Sequence, residues 1–246
     1  MKTDKNLIKQ RFEKSLSTYD DNALIQKEMA ETLAKMINLK KCKSVLELGC
    51  GTGLLTKEIV RKVEFEEYDA IDIVGKCEKY ISKISDRINF TVSDAEMVSG
   101  VNGTSSQKYD LIVSNASLQW VEKFEEFINR LQNSLNNNGI FAFTLFGKGN
   151  FKEFKDFVKN QPNYYSVDEL KEICKKYKII SIKEEVRKLN FNTPVEVLHH
   201  VKNTGVNALE NPKWTKSDLN DFIKKYPKCG DKYSLTYNPI YVVLKK

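Results

Sequence analysis

Histidine is scarce: the 246-residue chain contains two, His199 and His200. So few imidazoles leave little material for a histidine-built metal site or a histidine acid–base relay, and no metal is expected. The five cysteines (42, 50, 77, 174 and 229) form no CxxC pair and no regular spacing, which excludes a disulfide scaffold and fits a reducing cytoplasm. Long apolar runs are missing too. The run from Ile140 to Phe146 falls far short of the roughly 20 residues that span a bilayer, so no membrane partner is expected. The opening MKTDKNLIKQ lacks the apolar stretch of a secretory signal. Disorder is excluded in turn by 41% hydrophobic and 11% aromatic residues. With 40 basic against 33 acidic side chains the formal charge is +7, which favours an acidic partner without requiring nucleic acid.

What the chain does contain is an alternation of short apolar runs and helical patterns. Ile25, Met29, Leu33 and Met36/Ile37 recur at helical spacing behind a polar Ser15 to Asn22 stretch, which predicts a helical N-terminal segment over residues 1–40. Lys43 to Leu48, stopped by Gly49, reads as a strand; Leu54 to Val63 follows as a helix and a second strand ends at Asp72. Ile88 to Val92, Tyr109 to Val113 and Ile140 to Phe146 read as further strands, with Phe124 to Leu135 as the clearest intervening helix. Such alternation predicts an α/β fold, a mostly parallel sheet with helices on both faces, in one domain spanning 1–246.

Beyond Phe146 the texture becomes amphipathic and basic. Lys148, Lys152, Lys155 and Lys159 lie at helical spacing opposite Phe151, Phe154 and Val158, and Ser166 with Glu169 forms a capping-box pattern. Ile179 to Phe191 reads as one strand, Val195 to Lys202 and Ser217 to Tyr226 as helices, and Ser234 to Leu244 as a β-rich end on which Tyr237 and Tyr241 would share a face. An inserted cap over residues 148–230 is the expected organisation.

The sharpest signal is Glu47-Leu48-Gly49-Cys50-Gly51-Thr52-Gly53 at a strand-to-helix junction. Glycines there let a ligand lie against the backbone beside a helix N-terminus. A dinucleotide fingerprint would place Gly or Ala three residues after Gly51; Leu54 stands there instead. Glu47 would repel a pyrophosphate and suits a ligand bearing an ammonium or sulfonium group. Asp72, at the next strand end, is placed to accept from ribose hydroxyls, and Asp94, beside Ala95 after the third strand, could accept from an adenine amine.

This ordered set resembles the class I S-adenosylmethionine-dependent methyltransferases from about Lys43 to Phe146. The likeness implies a Rossmann-like seven-stranded sheet, with Gly49, Gly51 and Gly53 as the cofactor loop, Cys50 packed beside the ligand, Asp72 on ribose, Asp94 and Ala95 at adenine, and Asn115 beneath the methionine moiety. Phe12, Thr18-Tyr19-Asp20 and Gln26, then Ser114-Asn115-Ala116-Ser117-Leu118-Gln119-Trp120, then His200-Val201-Lys202 with Gly205 and Asn207, and finally Tyr233-Ser234-Leu235-Thr236-Tyr237 narrow it further. Over nearly the whole chain they resemble the malonyl-acyl-carrier-protein O-methyltransferases of biotin biosynthesis. That family departs from this chain where its usual Arg is His199 and where Ile-Val-Gly-Lys follows Asp72. The resemblance implies methyl esterification of a malonyl carboxylate on acyl carrier protein, S-adenosylhomocysteine as the other product, and a lid in which Tyr19 lines the methyl channel and Gln26 lies near the methionine end. A cation from the cap would grip the carboxylate, with Lys202, His200 and Arg187 as candidates. Methylation of another small carboxylic acid or of RNA, and binding without transfer, are the alternatives.

Overall fold

Strand formation follows the apolar runs closely. The computed structural model describes residues 4–98, 107–157, 162–204 and 215–246. The elements in chain order are α1 (Lys5–Ser15), α2 (Tyr19–Asn22), α3 (Leu24–Met36), β1 (Ser44–Leu48), α4 (Leu54–Lys62), β2 (Glu67–Asp72), α5 (Glu78–Ile81), β3 (Ile88–Val92) and β4 (Tyr109–Ser114). They continue with α6 (Phe124–Leu131), β5 (Leu135–Phe146), α7 (Val167–Ile173), β6 (Lys178–Glu184), β7 (Arg187–Phe191), α8 (Pro194–Asn203), α9 (Lys216–Lys225), β8 (Lys228–Cys229), β9 (Lys232–Tyr237) and β10 (Pro239–Lys245).

Seven strands form one sheet in the order β3-β2-β1-β4-β5-β10-β6. β1 to β5 pair in parallel, and β10 runs antiparallel to both β5 and β6. Because side chains alternate across a strand, the sheet buries apolar residues on both faces. Val45, Leu111, Val113 and Ala142 pack with Met29 and Leu33 of α3 and Ile59 of α4, whereas Leu46, Ile112, Phe141 and Phe143 pack with Phe127, Leu131 and Leu170 of α6 and α7. The chain reverses its winding between adjacent β1 and β4, and in such sheets the carboxyl ends of the strands part there to leave a crevice.

The region after β5 departs from the expected pattern in three ways. Ile179 to Phe191 is not one strand: it breaks after Glu184, β6 closes the edge of the large sheet, and β7 joins β9 and β8 in a separate three-stranded sheet. Residues 148–157 do not form an amphipathic helix. Phe151 adopts φ 51°, its N–H donates to Thr236 O, and a single 3-10 turn covers Lys152–Phe154, so docking on β9 overrides the helical spacing. Tyr237 and Tyr241 lie in different sheets, because the chain passes from β9 to β10 through Asn238. Asn238 takes the N–H of Gly149 on its side chain and accepts the N–H of Gly147 on its backbone carbonyl. Val158, Lys159, Gly205 and Asn207, used in the sequence patterns, lie outside the described residues. The capping boxes are formed at Ser166/Glu169 and also at Thr215/Asp218.

Candidate active site

The turn after β1 is built for close approach. Gly49, Gly51 and Gly53 have φ of 69°, 55° and 81°. At Gly49 a Cβ would lie 2.1 Å from Ser117 Oγ, so only glycine lets the β1 and β4 turns meet. Gly51 faces Phe12, whose ring a Cβ would approach to 3.1 Å. These turns border a cleft holding about 1120 Å³ of atom-free space, part of it open to solvent. Gly49, Cys50 and Gly51 form one wall; Gly53 is not in the wall, and makes the left-handed turn into α4 over Ile84. Cys50 is buried, which pushes its thiol well up and keeps it protonated.

Three carboxylates from successive strand ends face this cleft: Glu47, Asp72 and Asp94. Glu47 Oε2 accepts from Thr56 Oγ1 at 2.7 Å and Tyr68 OH at 2.6 Å. Burial nevertheless pushes its carboxyl up to about 7, with the charge of Asp72 adding to the effect. Asp72 accepts Gly51 N–H at 2.9 Å on Oδ2 and Val74 N–H at 2.8 Å on Oδ1, which fixes the carboxylate while leaving lone pairs for further donors. Burial raises Asp72 as well, opposed by those backbone donors. Asp94 caps the 3-10 turn Ala95–Met97 through Oδ1 on Glu96 N–H, with Ala95 beside it in the wall. Lys5 Nζ lies 2.5 Å from Asp94 Oδ2 and also contacts Glu96.

α1 to α3 cover the opening. Ile8, Phe12, Tyr19 and Gln26 line the cleft from this side. Phe12 and Tyr19 meet edge to face at 5.1 Å, and Asp20 Oδ1 accepts from Thr52 Oγ1 at 2.5 Å, joining α2 to the glycine turn. Burial pushes the Tyr19 phenol up, so it stays a hydroxyl donor. Gln26 is 1% exposed, and neither Nε2 nor Oε1 has a hydrogen-bond partner. A buried amide left wholly unpaired costs roughly 1–3 kcal/mol or more, so it marks a place for a ligand's polar groups. Asn115, at the end of β4, lines the same end.

The cationic grip expected of Lys202, His200 and Arg187 is not assembled in the cleft wall. Arg187, on β7, is engaged by Glu185 at 2.8 Å and Glu28 at 3.7 Å, tying the small sheet to α3. His200 Nε2 is 2.8 Å from Tyr237 OH, and burial lowers its pKa, so the imidazole is neutral near pH 7 and acts as a hydrogen-bond partner. Lys202 is exposed on α8, two residues before Thr204, which does line the cleft.

A glycine cradle, acceptors for ribose and adenine, an acidic group for a cationic end and an unpartnered amide together fit S-adenosylmethionine. A methyltransferase-domain family model matches residues 22–196. A malonyl-[acyl-carrier protein] O-methyltransferase of Calditerrivibrio nitroreducens is 37% identical, covering 97% of this chain and 96% of that protein. The enzyme of the same name from Chlorobium luteolum is 34% identical over 99% of this chain and 96% of its own length. This chain belongs to the malonyl-[acyl-carrier protein] O-methyltransferase family. It is an S-adenosylmethionine-dependent methyltransferase. In architecture it resembles the crystal structure of protein BH2331 from Bacillus halodurans C-125 (TM-score 0.66, 13% identity, 88% of this chain and 98% of that one), which supports the fold.

Within this family member, sequence reasoning did not single out Lys5, Thr144 or Thr204. Lys5 and Asp94 are 89 residues apart, and Thr144 hides in the apolar run of β5. The one available signal was Thr144 itself, the only hydroxyl in the apolar run Ile140–Phe146.

Proposed function

We propose that this chain methylates the free carboxylate of a malonyl group carried on acyl carrier protein, giving the methyl ester and S-adenosylhomocysteine. The ester masks the malonyl charge, so the product serves as a primer for fatty acid elongation toward biotin. Near-full-length similarity to enzymes bearing that name is the observation that carries the reading.

S-adenosylmethionine supplies an electrophilic methyl group on a sulfonium. In this reading Asp72 accepts from the ribose hydroxyls, Asp94 beside Ala95 accepts from the adenine amine, and Glu47 offsets the cationic end. Gly49 and Gly51 admit the ligand to the backbone, Gly53 shapes the turn, and Cys50 packs against it. Gln26 and Asn115 lie at the methionine end. α1 to α3, within residues 1–40, act as the lid, and α8 and α9 with strands β7 and β8, within 148–230, as the cap.

A malonyl carboxylate has a pKa well below 7 and is already a nucleophile, so no side chain has to remove a proton. Positioning carries the rate, and holding reactants near 3–3.5 Å can supply up to about 7–11 kcal/mol. Tyr19, held against Phe12, donates to the carboxylate and sets its direction. Lys202, exposed on α8, is assigned to the carboxylate as its cation; His200 and Arg187 act indirectly, by holding Tyr237 and α3. Covering the cleft excludes water while charge is neutralised. The chain is proposed to work in the cytoplasm.

The test is incubation with methyl-labelled S-adenosylmethionine and malonyl-carrier protein, followed by mild alkaline hydrolysis. Label should enter the carrier fraction and leave it as methanol. Alkali-stable label, or equal labelling of acetyl-carrier protein, would contradict carboxyl methylation, and label in RNA or a free acid would redirect it.

A further inference from the structure

Two buried amides face the cleft with atoms that have no partner, Gln26 Nε2 and Oε1 and Gln119 Oε1. Both are tied to one hydroxyl in β5. Thr144 is fully buried on the face of the sheet that α3 covers. Ala116 N–H donates to Thr144 Oγ1 at 2.9 Å, so the single hydroxyl proton is free to go to Asn115 Oδ1, 2.6 Å away. Asn115 must then turn Nδ2 outward, and it donates to the backbone carbonyl of Gln26 at 3.0 Å. A carbonyl only accepts, so both ends of the Asn115 amide demand the same orientation. The second branch runs through Ala116, a non-glycine residue at φ 49°. Its N–H is held by Thr144 Oγ1 and also lies 3.2 Å from Thr144 O, and its carbonyl accepts from Gln119 Nε2 at 2.7 Å.

We propose that Thr144 is a positioning residue for cofactor binding: its hydroxyl fixes the Asn115 amide, and through it the first turn of α3 and the Gln26 side chain that faces the cleft. This rests on the cleft being the S-adenosylmethionine site. Valine has nearly the same shape as threonine and would leave the apolar packing in place. The Ala116 N–H would keep the Thr144 carbonyl. What valine removes is the reason for Asn115 to face one way, and with it the anchor on the first turn of α3.

The test is calorimetric titration of S-adenosylhomocysteine into wild type, Thr144→Val, Thr144→Ser, Gln26→Ala and the Thr144→Val/Gln26→Ala pair. Thr144→Val should weaken binding about tenfold, the scale of one lost buried hydrogen bond, and Thr144→Ser should stay within about threefold of wild type. On the Gln26→Ala background the valine change should cost less than about threefold, because the group it aims is gone. Wild-type affinity in Thr144→Val, or a full tenfold loss on the Gln26→Ala background, overturns the proposal. If Thr144→Val does not fold, Thr144→Cys, close in size with a much weaker hydrogen-bonding group, enters the same cycle with the same expectations. A wild-type protein that takes up no S-adenosylhomocysteine would overturn the cofactor reading itself, a result separable from any behaviour of the variants.

Discussion

Folding moves the titration of Glu47 into the neutral range. Its carboxyl is pushed up from an ordinary 4.5 to about 7 by burial. Between those values the folded state keeps a proton that the unfolded chain has released, so stability falls as pH rises through this window, by roughly 3 kcal/mol for this one group. Urea melts of the ligand-free protein at pH 5 and pH 8 should show that loss, and Glu47→Gln should remove much of it; equal slopes for both proteins would assign the pH dependence elsewhere. A cationic ligand favours the ionised form, so binding of S-adenosylmethionine at pH 6.5 should release a fraction of a proton. Calorimetry in buffers of differing ionisation enthalpy reads this directly. Glu47, Asp72 and Asp94 were legible because each stands at or beside a strand end just before a turn. The partners that hold them were not: Tyr68 reaches Glu47 across 21 positions, and Lys5 reaches Asp94 across 89. His200 looked like a charged contact in the sequence, but burial and Tyr237 make it a neutral hydrogen-bonding group.

At the scale of elements, α1 borders the cleft through Lys5, Ile8 and Phe12. It is held by Lys5 to Asp94 and Glu96, by Glu13 to Lys76 at 2.7 Å, and by Phe12 against Gly51. Partly exposed ion pairs contribute about 1 kcal/mol or less each, so this helix should open far more often than the sheet unfolds. Saturating S-adenosylhomocysteine should therefore slow proteolysis within residues 5–22, and Lys5→Ala should speed it in the free protein; cleavage rates indifferent to both would mean that α1 does not respond to the cleft. The parallel sheet could be anticipated from the alternation of short strand-like runs with helical patterns, although β2 (Glu67–Asp72) carries three acidic residues. The division between β6 and β7 is fainter. Ile179 to Phe191 reads as one strand, but the charged Lys183-Glu184-Glu185 run marks the break after Glu184, where Glu185 N–H donates to Pro239 O and the two halves go to different sheets.

For the whole molecule, the +7 charge is less available than the lysine count suggests. Lys148 is paired with Glu169, Lys171 with Asp168, Lys175 with Glu172 and Lys225 with Asp221. What acts on an acidic carrier is the summed, screened field. Raising ionic strength should increase KM for malonyl-carrier protein more than for malonyl-coenzyme A. Equal sensitivity would remove charge steering from the account. Among the described residues no helix is long and apolar enough to cross a membrane. In the proposed reading the crevice between β1 and β4 takes an adenosyl sulfonium ligand and presents it to a carboxylate. Titration calorimetry of the wild-type protein with S-adenosylmethionine, set against NAD, tests it most directly. One equivalent of S-adenosylmethionine taken up, with no heat from NAD and binding lost in Asp72→Ala, is the expected result; binding of NAD, or no uptake of S-adenosylmethionine, would contradict it.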